Sequence, residues 1–266
     1  MKLHAIVGST VTLRKPFSTY DGAAACAVVL SCMQSHGKIR SGPGQVYARL
    51  RDMIVGGQLT AGTRIIELDF AARLGVSRTP LREALLLLQQ EGFVVGTDGG
   101  QQSRLRVSPL TSEDAHDLYS LRGEIEGLAA ERTAALPDSD RKLVVRQLRK
   151  LNSQLSKAAA ARNLDTALLY DIDEGFHLYY VRAGATRRLL AAHDAIRPHI
   201  ERYERLYMDR LARRLPVSVR EHEVIVRAIA NGDSDAAHLA VRANWRNAAE
   251  RLGKVLESPV AEAQPA

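Results

Sequence analysis

Two small sets of residues in this 266-residue chain have types and spacings that could do chemistry. The first lies in the run Gly75-Val76-Ser77-Arg78-Thr79-Pro80-Leu81-Arg82. Arg78 and Arg82 stand four apart, so on a helix they share a face. A pair of guanidinium groups there could clamp a guanine bidentately or hold a phosphate. The second set is Asp173 and His177, also four apart, with His222 in a later segment. A carboxylate and two imidazoles converging inside a helical bundle could hold a divalent cation such as Zn, Ni or Mn. On spacing alone, solvated arginines and ordinary core histidines explain the same residues. His193, His199 and His238 show no partner in the sequence and are read as structural.

The arginines need a helix that presents them outward. Residues Leu68 to Glu91 read as two short helices around a tight turn. Gly75 can take the positive φ that such a turn requires. Ala71 or Ala72 is small enough for the helices to cross closely. Ser77 can cap the second helix, and Pro80 is tolerated in its first turn. Leu81, Leu85 and Leu88 then face inward and leave Ser77, Arg78, Thr79 and Arg82 at the outward N-terminal end. That is the end of a recognition helix that enters the major groove of DNA. Upstream, Ser41-Gly-Pro-Gly44 is a break, and Val46, Leu50, Met53 and Ile54 form a buried stripe on a helix stopped by Gly56-Gly57. Arg64-Ile65-Ile66 reads as a short extended link. Downstream of Gly92, Phe93-Val95 and Arg104-Val107 read as a hairpin around a Gly-rich polar tip.

The Asp and His residues need a bundle. Thr111 or Ser112 can cap a helix whose first turn holds Glu113 and Asp114, favoured by the helix dipole. From there to about Leu256 the pattern gives roughly six helices, broken at Leu136-Pro137-Asp138, near Asn163, at Gly184, at Leu215-Pro216 and at Asn231-Gly232. The expected fold is mainly α: a winged helix-turn-helix over 41–109 followed by an all-α bundle over 110–258. Residues 1–40 are expected to be a poorly ordered extension and 259–266 a flexible tail.

Composition narrows the function classes. A net charge of +7 and a pI near 9.6 suit a polyanionic partner. Cys26 and Cys32 supply neither a disulfide framework nor a zinc finger, which points to a reducing cytoplasm. No apolar run reaches the ~20 residues of a membrane span, and the run Ala23 to Leu30 lacks the basic start of a signal peptide. The chain has no inward set of Glu with Glu-x-x-His pairs, no Gly-rich phosphate loop and no nucleophile elbow. That argues against the first rival reading, a metal-dependent enzyme on a helical bundle. The second rival, a helical interaction module that never meets DNA, leaves the arrangement of Ser77 to Arg82 unexplained.

The runs QVYARLRDMIVGGQLTAGTRI and LGVSRTPLREALLLLQQEGFV, followed by a Gly-bearing hairpin, together resemble the winged helix of the GntR family of bacterial transcription regulators over Gln45 to Pro109. GVSRTPLREAL is the most specific part. The resemblance implies that Arg78, Thr79 and Arg82 contact operator DNA and that Gly99 or Gly100 lies at the wing tip. Some members carry an arginine where this chain has Leu68, so that contact is either missing or replaced, with Arg73 the candidate. Farther on, DLYSLRGEIEGLAAERTA, DEGFHLYYVRAGA and EHEVIVRAIANGDSDAAHLAVRANW resemble the C-terminal ligand-binding domain of the FadR subfamily. Many such domains hold a metal through one Asp and three His. Asp173, His177 and His222 match, and Asn244 stands where the pattern has the third histidine. Asparagine is the weaker ligand for a soft transition metal. Arg122 has the position of an arginine near the effector, and its alternative is an ion pair with Glu126. The whole implies a homodimeric repressor, released from operator DNA when a small carboxylate metabolite binds.

Overall fold

The computed structural model describes residues 42–97 and 104–257. Residues 1–40, the wing-tip candidates Gly99 and Gly100, and the tail 259–266 lie outside the described residues.

Three helices and a small sheet come first. Helix α1 (Pro43–Val55) buries Val46, Leu50 and Ile54 and ends at Gly56. Strand β1 (Arg64–Ile65) leads into α2 (Glu67–Leu74) and α3 (Arg78–Gln90). Gly75 closes α2 with φ 68°, the left-handed conformation that glycine adopts without a Cβ penalty. Ala71, rather than Ala72, is the small buried residue where the helices cross. Strands β2 (Val94–Thr97) and β3 (Arg104–Val107) form the hairpin. The expected extended link is a true third strand: β1 pairs antiparallel with β3, giving the order β1-β3-β2. Its register sets Arg64 opposite Arg106. Phe70, Leu81, Leu85, Leu88, Phe93 and Val107 complete one core with the α1 stripe. Ser77 is the N-cap residue of α3 by position, but its side chain makes no capping hydrogen bond.

Six helices follow: α4 (Ser112–Ala134), α5 (Asp138–Ala159), α6 (Thr166–Gly184), α7 (Arg187–Leu211), α8 (Leu215–Asn231, entered through a 3₁₀ turn at Ala212–Arg214) and α9 (Ser234–Glu257). Thr111 caps α4 by accepting a hydrogen bond from the Asp114 amide at 3.1 Å. α4 and α9 approach closely because Gly123 is bare there; a Cβ would lie 3.3 Å from that of Trp245. Tyr119, Leu148, Phe176, Tyr180, Ile200, Ile225, Val241 and Trp245 share the second core.

α7 joins the two cores. The His199 ring stacks on Phe93 at 4.0 Å, and Arg202 Nη2 donates to the Ser108 carbonyl at 2.8 Å. Tyr203 accepts from the Thr111 amide and donates to Asp114 Oδ2 at 2.6 Å. No helix among the described residues is long and apolar enough to cross a membrane.

Candidate functional site

Leu81, Leu85 and Leu88 of α3 face the core, so its first turns carry Arg78, Thr79 and Arg82 on the outside. Ser77 just before the helix and Arg73 near the end of α2 are exposed as well. Arg82 Nε lies 2.5 Å from Glu67 Oε2, with 60% of the arginine side chain open to solvent. Such a surface pair contributes at most about 1 kcal/mol, so it leaves the guanidinium free to exchange Glu67 for another acceptor. Leu68 is 67% exposed and offers no charge of its own. The sheet adds two cations that the sequence reading passed over, Arg64 and Arg106; Arg106 Nη1 donates to the Gly62 carbonyl at 3.0 Å. Only the pairing of β1 with β3 shows that they share a surface.

In the bundle, Asp173 and His177 on α6 meet His222 on α8, and their ligand atoms all lie within 4.8 Å of one another. His222 Nδ1 faces Asn152 Oδ1 at 3.2 Å, which makes it the donor and leaves the Nε2 lone pair toward Asp173 Oδ1, 3.7 Å away. Both of these facing atoms are buried without a hydrogen-bond partner. Burial, then His177 and Arg251, hold the His222 pKa well below its ordinary value, so the ring stays neutral. Burial also raises Asp173, against the pull of His177. The neutral His222 ring, the His177 imidazole and a carboxylate whose Oδ1 is unclaimed form a donor set that fits a divalent cation. Asn244 lines the same cleft, where its Nδ2 donates to Glu221 Oε2 at 2.9 Å and its carbonyl oxygen is the atom left to offer.

Beneath the cleft lies an ionic network of which spacing revealed only the Arg122–Glu126 pair. Glu126 is wholly buried. It accepts from Arg122 Nε (2.6 Å), Tyr180 Oη (2.6 Å) and Trp245 Nε1 (2.8 Å), and it faces His177 Nδ1 (2.9 Å) and His193 Nε2 (3.2 Å). Burial opposes its charge, yet Arg122 and His177 hold its pKa well below the carboxylate range. His177 thus has its Nδ1 oriented from behind, as metal-binding histidines usually do. Arg122 is also wholly buried; its Nη2 donates to Glu174 Oε2 at 2.5 Å, and it stacks over Trp245. Its Nη1 has no hydrogen-bond partner and lies 3.8 Å from Glu204 Oε2. Glu204 lines the cleft, and burial pushes its pKa up to about 8, partly offset by Arg122. Of the other histidines, His193 faces Glu126, His199 stacks on Phe93, and His238 pairs with Glu131 and Glu124.

The same two regions emerge from comparison with known proteins. Residues 44–100 match the bacterial regulatory proteins of the gntR family, and residues 117–247 match the FCD domain. An HTH-type transcriptional regulator in an unstable DNA locus of Streptomyces ambofaciens is 31% identical over 209 residues, 78% of this chain and 83% of that protein. The gluconate operon transcriptional repressor of Bacillus licheniformis is 27% identical, covering 79% of this chain and 84% of its own length. A solved GntR transcriptional regulator from Rhodococcus sp. RHA1 shares the fold with a TM-score of 0.58 at 23% identity, over 79% of this chain and 96% of that one. The protein belongs to the GntR family, in the FadR-like subfamily that couples a winged helix to an FCD effector-binding domain, and it is a transcription regulator rather than an enzyme.

Proposed function

We propose that this regulator is a cytoplasmic, homodimeric repressor, released from its operator by a small organic acid that enters the bundle cleft beside a divalent metal. The observation that carries this reading is the pair of buried, unpartnered atoms Asp173 Oδ1 and His222 Nε2 in that cleft. Asp173, His177 and His222 would hold the ion, with the Asn244 carbonyl or water completing the set. A bound ion would offer a carboxylate oxygen a Lewis-acidic position.

The chain's own residues do the rest. Glu126 orients His177 and Asn152 orients His222. Arg122 Nη1 is the one arginine donor in the network still to be satisfied, and a carboxylate displacing Glu204 would satisfy it. Free space in the cleft is about 50 Å³, room for an ion and a few waters. An organic acid must therefore widen the cleft, so it binds one conformation better than the other, and only such a difference can shift DNA affinity. Arg78, Thr79 and Arg82, with Ser77 and Arg73 beside them, would read each half of a near-palindromic operator that matches the dimer axis. The relative that represses a gluconate operon makes sugar acids the first effectors to try.

Fluorescence anisotropy on the DNA upstream of the protein's own gene tests this, run at fixed salt with and without sugar acids, alongside metal analysis of the wild type and His177→Ala. The expected result is metal in the wild type only and DNA release on adding the acid. A metal-free wild-type protein purified without chelator would overturn the metal part. A carboxylate screen that neither raises the melting temperature nor moves DNA affinity would overturn the effector part.

A further inference from the structure

A second hollow lies away from the cleft, in the seam between α5 and α8. It measures about 610 Å³, inside the ~300–1,000 Å³ of ordinary small-molecule sites. From α5 it is lined by Arg149, Asn152, Ser153, Ser156 and Lys157. These fall at i, i+3, i+4, i+7 and i+8, one stripe of a helix. A stripe that borders a helix seam is ordinarily apolar; here every position is polar or cationic. From α8 come the apolar Val219 and Val226, with Arg227 and one acid, Glu223.

Among the described residues, the side chains of Arg149, Lys157 and Arg227 form no ion pair and no hydrogen bond, and neither do the Ser153 and Ser156 hydroxyls. Some arginines elsewhere in the bundle do find acids: Arg205 takes Glu201, Arg242 takes Glu124 and Arg251 takes Glu221. The imbalance is written into the sequence, where residues 141–164 hold seven Lys or Arg and no Asp or Glu. Three cations against one carboxylate repel one another unless an anion sits between them. Two guanidinium forks, an ammonium and two hydroxyls are the donors that a tetrahedral oxyanion takes.

We propose that the α5–α8 groove is a second ligand site, which takes a phosphoryl group as free phosphate or on a small phosphate ester. It stands apart from the metal and organic-acid reading above, since none of its cations lines that cleft. The two sites touch through Asn152, which lines the groove and whose Oδ1 faces His222 Nδ1.

Calorimetric titration of the full chain tests this, at constant ionic strength, with inorganic phosphate, glucose 6-phosphate and, as the neutral control, glucose. The proteins compared are the wild type, Arg149→Gln/Arg227→Gln, Arg149→Lys/Arg227→Lys and a winged-helix variant, Arg78→Gln/Arg82→Gln. All four changed side chains are exposed, and melting curves check that each variant folds. The expected result is phosphoryl binding without glucose binding. It should weaken at least tenfold in the Gln pair of the groove, recover in the Lys pair and stay unchanged in the winged-helix variant. Tighter binding of the ester assigns the groove to a sugar phosphate, and equal binding to free phosphate. No binding of either probe at millimolar concentration, or a groove Gln pair that binds like the wild type, overturns the proposal. So does a groove variant that loses only DNA affinity, which would make the seam a nucleic-acid surface.

Discussion

Arg82 and Glu126 hold charge in opposite settings, and their substitutions should fail in opposite ways. The Arg82–Glu67 pair is largely open to water, so Arg82→Ala should move stability by no more than about 0.5 kcal/mol. Operator affinity should fall, and if the contact is to phosphate, the salt dependence should lose about one unit of slope. A gel-shift titration at fixed salt that finds wild-type affinity would dismiss Arg82 as a contact. Glu126→Ala should leave DNA contacts intact but strand the wholly buried Arg122 guanidinium with a weakened set of partners. Breaking a buried pair from one side costs on the order of 3–5 kcal/mol, so a large drop in melting temperature is the expected result, and a drop of only a degree or two would refute the hub role. Arg78 with Arg82, and Asp173 with His177, were legible because each pair sits on one helix at a four-residue step. Glu126 was legible only as the i+4 partner of Arg122, because its other partners Trp245 and His177 lie 119 and 51 residues away on other helices.

Helix breaks were the most readable feature, since each has a local cause: Pro137 and Pro216 start helices, Gly232 ends one with φ 70°, and Thr111 caps one through its hydroxyl. Ser77 fits the same capping pattern yet makes no such bond, because position alone does not fix a rotamer. What α7 does lay beyond periodicity. Its middle turns carry His199 and Arg202 against Phe93 and Ser108, contacts between elements far apart in sequence. Burial, with Arg202 beside it, lowers the His199 pKa below its ordinary 6.5. A depressed histidine contributes stability that is fully present above pH 6.5 and is lost as pH falls through the folded-state pKa, because protons then favour the unfolded chain. His199→Phe keeps an aromatic ring against Phe93 and cannot titrate. Melting curves from pH 8 to pH 5 should therefore show the wild type losing stability relative to the variant as acid is added. Parallel curves would show that the ring titrates as freely in the folded state as in the unfolded.

At the scale of the whole molecule, the two cores have to exchange free energy for a regulator of this family to respond to anything. α7 is the element with residues in both places: His199 and Arg202 touch the winged helix, and Glu204, Met208 and Leu211, within three turns of the same helix, line the cleft. On the proposed function, widening the cleft to admit an organic acid would displace the face that carries Glu204, and a helix would transmit such a shift along its length without stretching. The coupling expected from this arrangement is about 1–3 kcal/mol and must be reciprocal, so operator DNA should weaken acid binding by the same factor by which the acid weakens operator binding. His199→Ala/Arg202→Ala removes the junction contacts and leaves Asp173, His177, His222 and the α3 arginines in place. With a sugar acid that releases the wild type, this double variant should retain operator affinity in the absence of the acid and match the wild type in metal analysis. Its affinity ratio with and without the acid should collapse toward one. A double variant released by the acid as fully as the wild type would show that the coupling runs through some other contact than α7, however well the helix is placed to carry it.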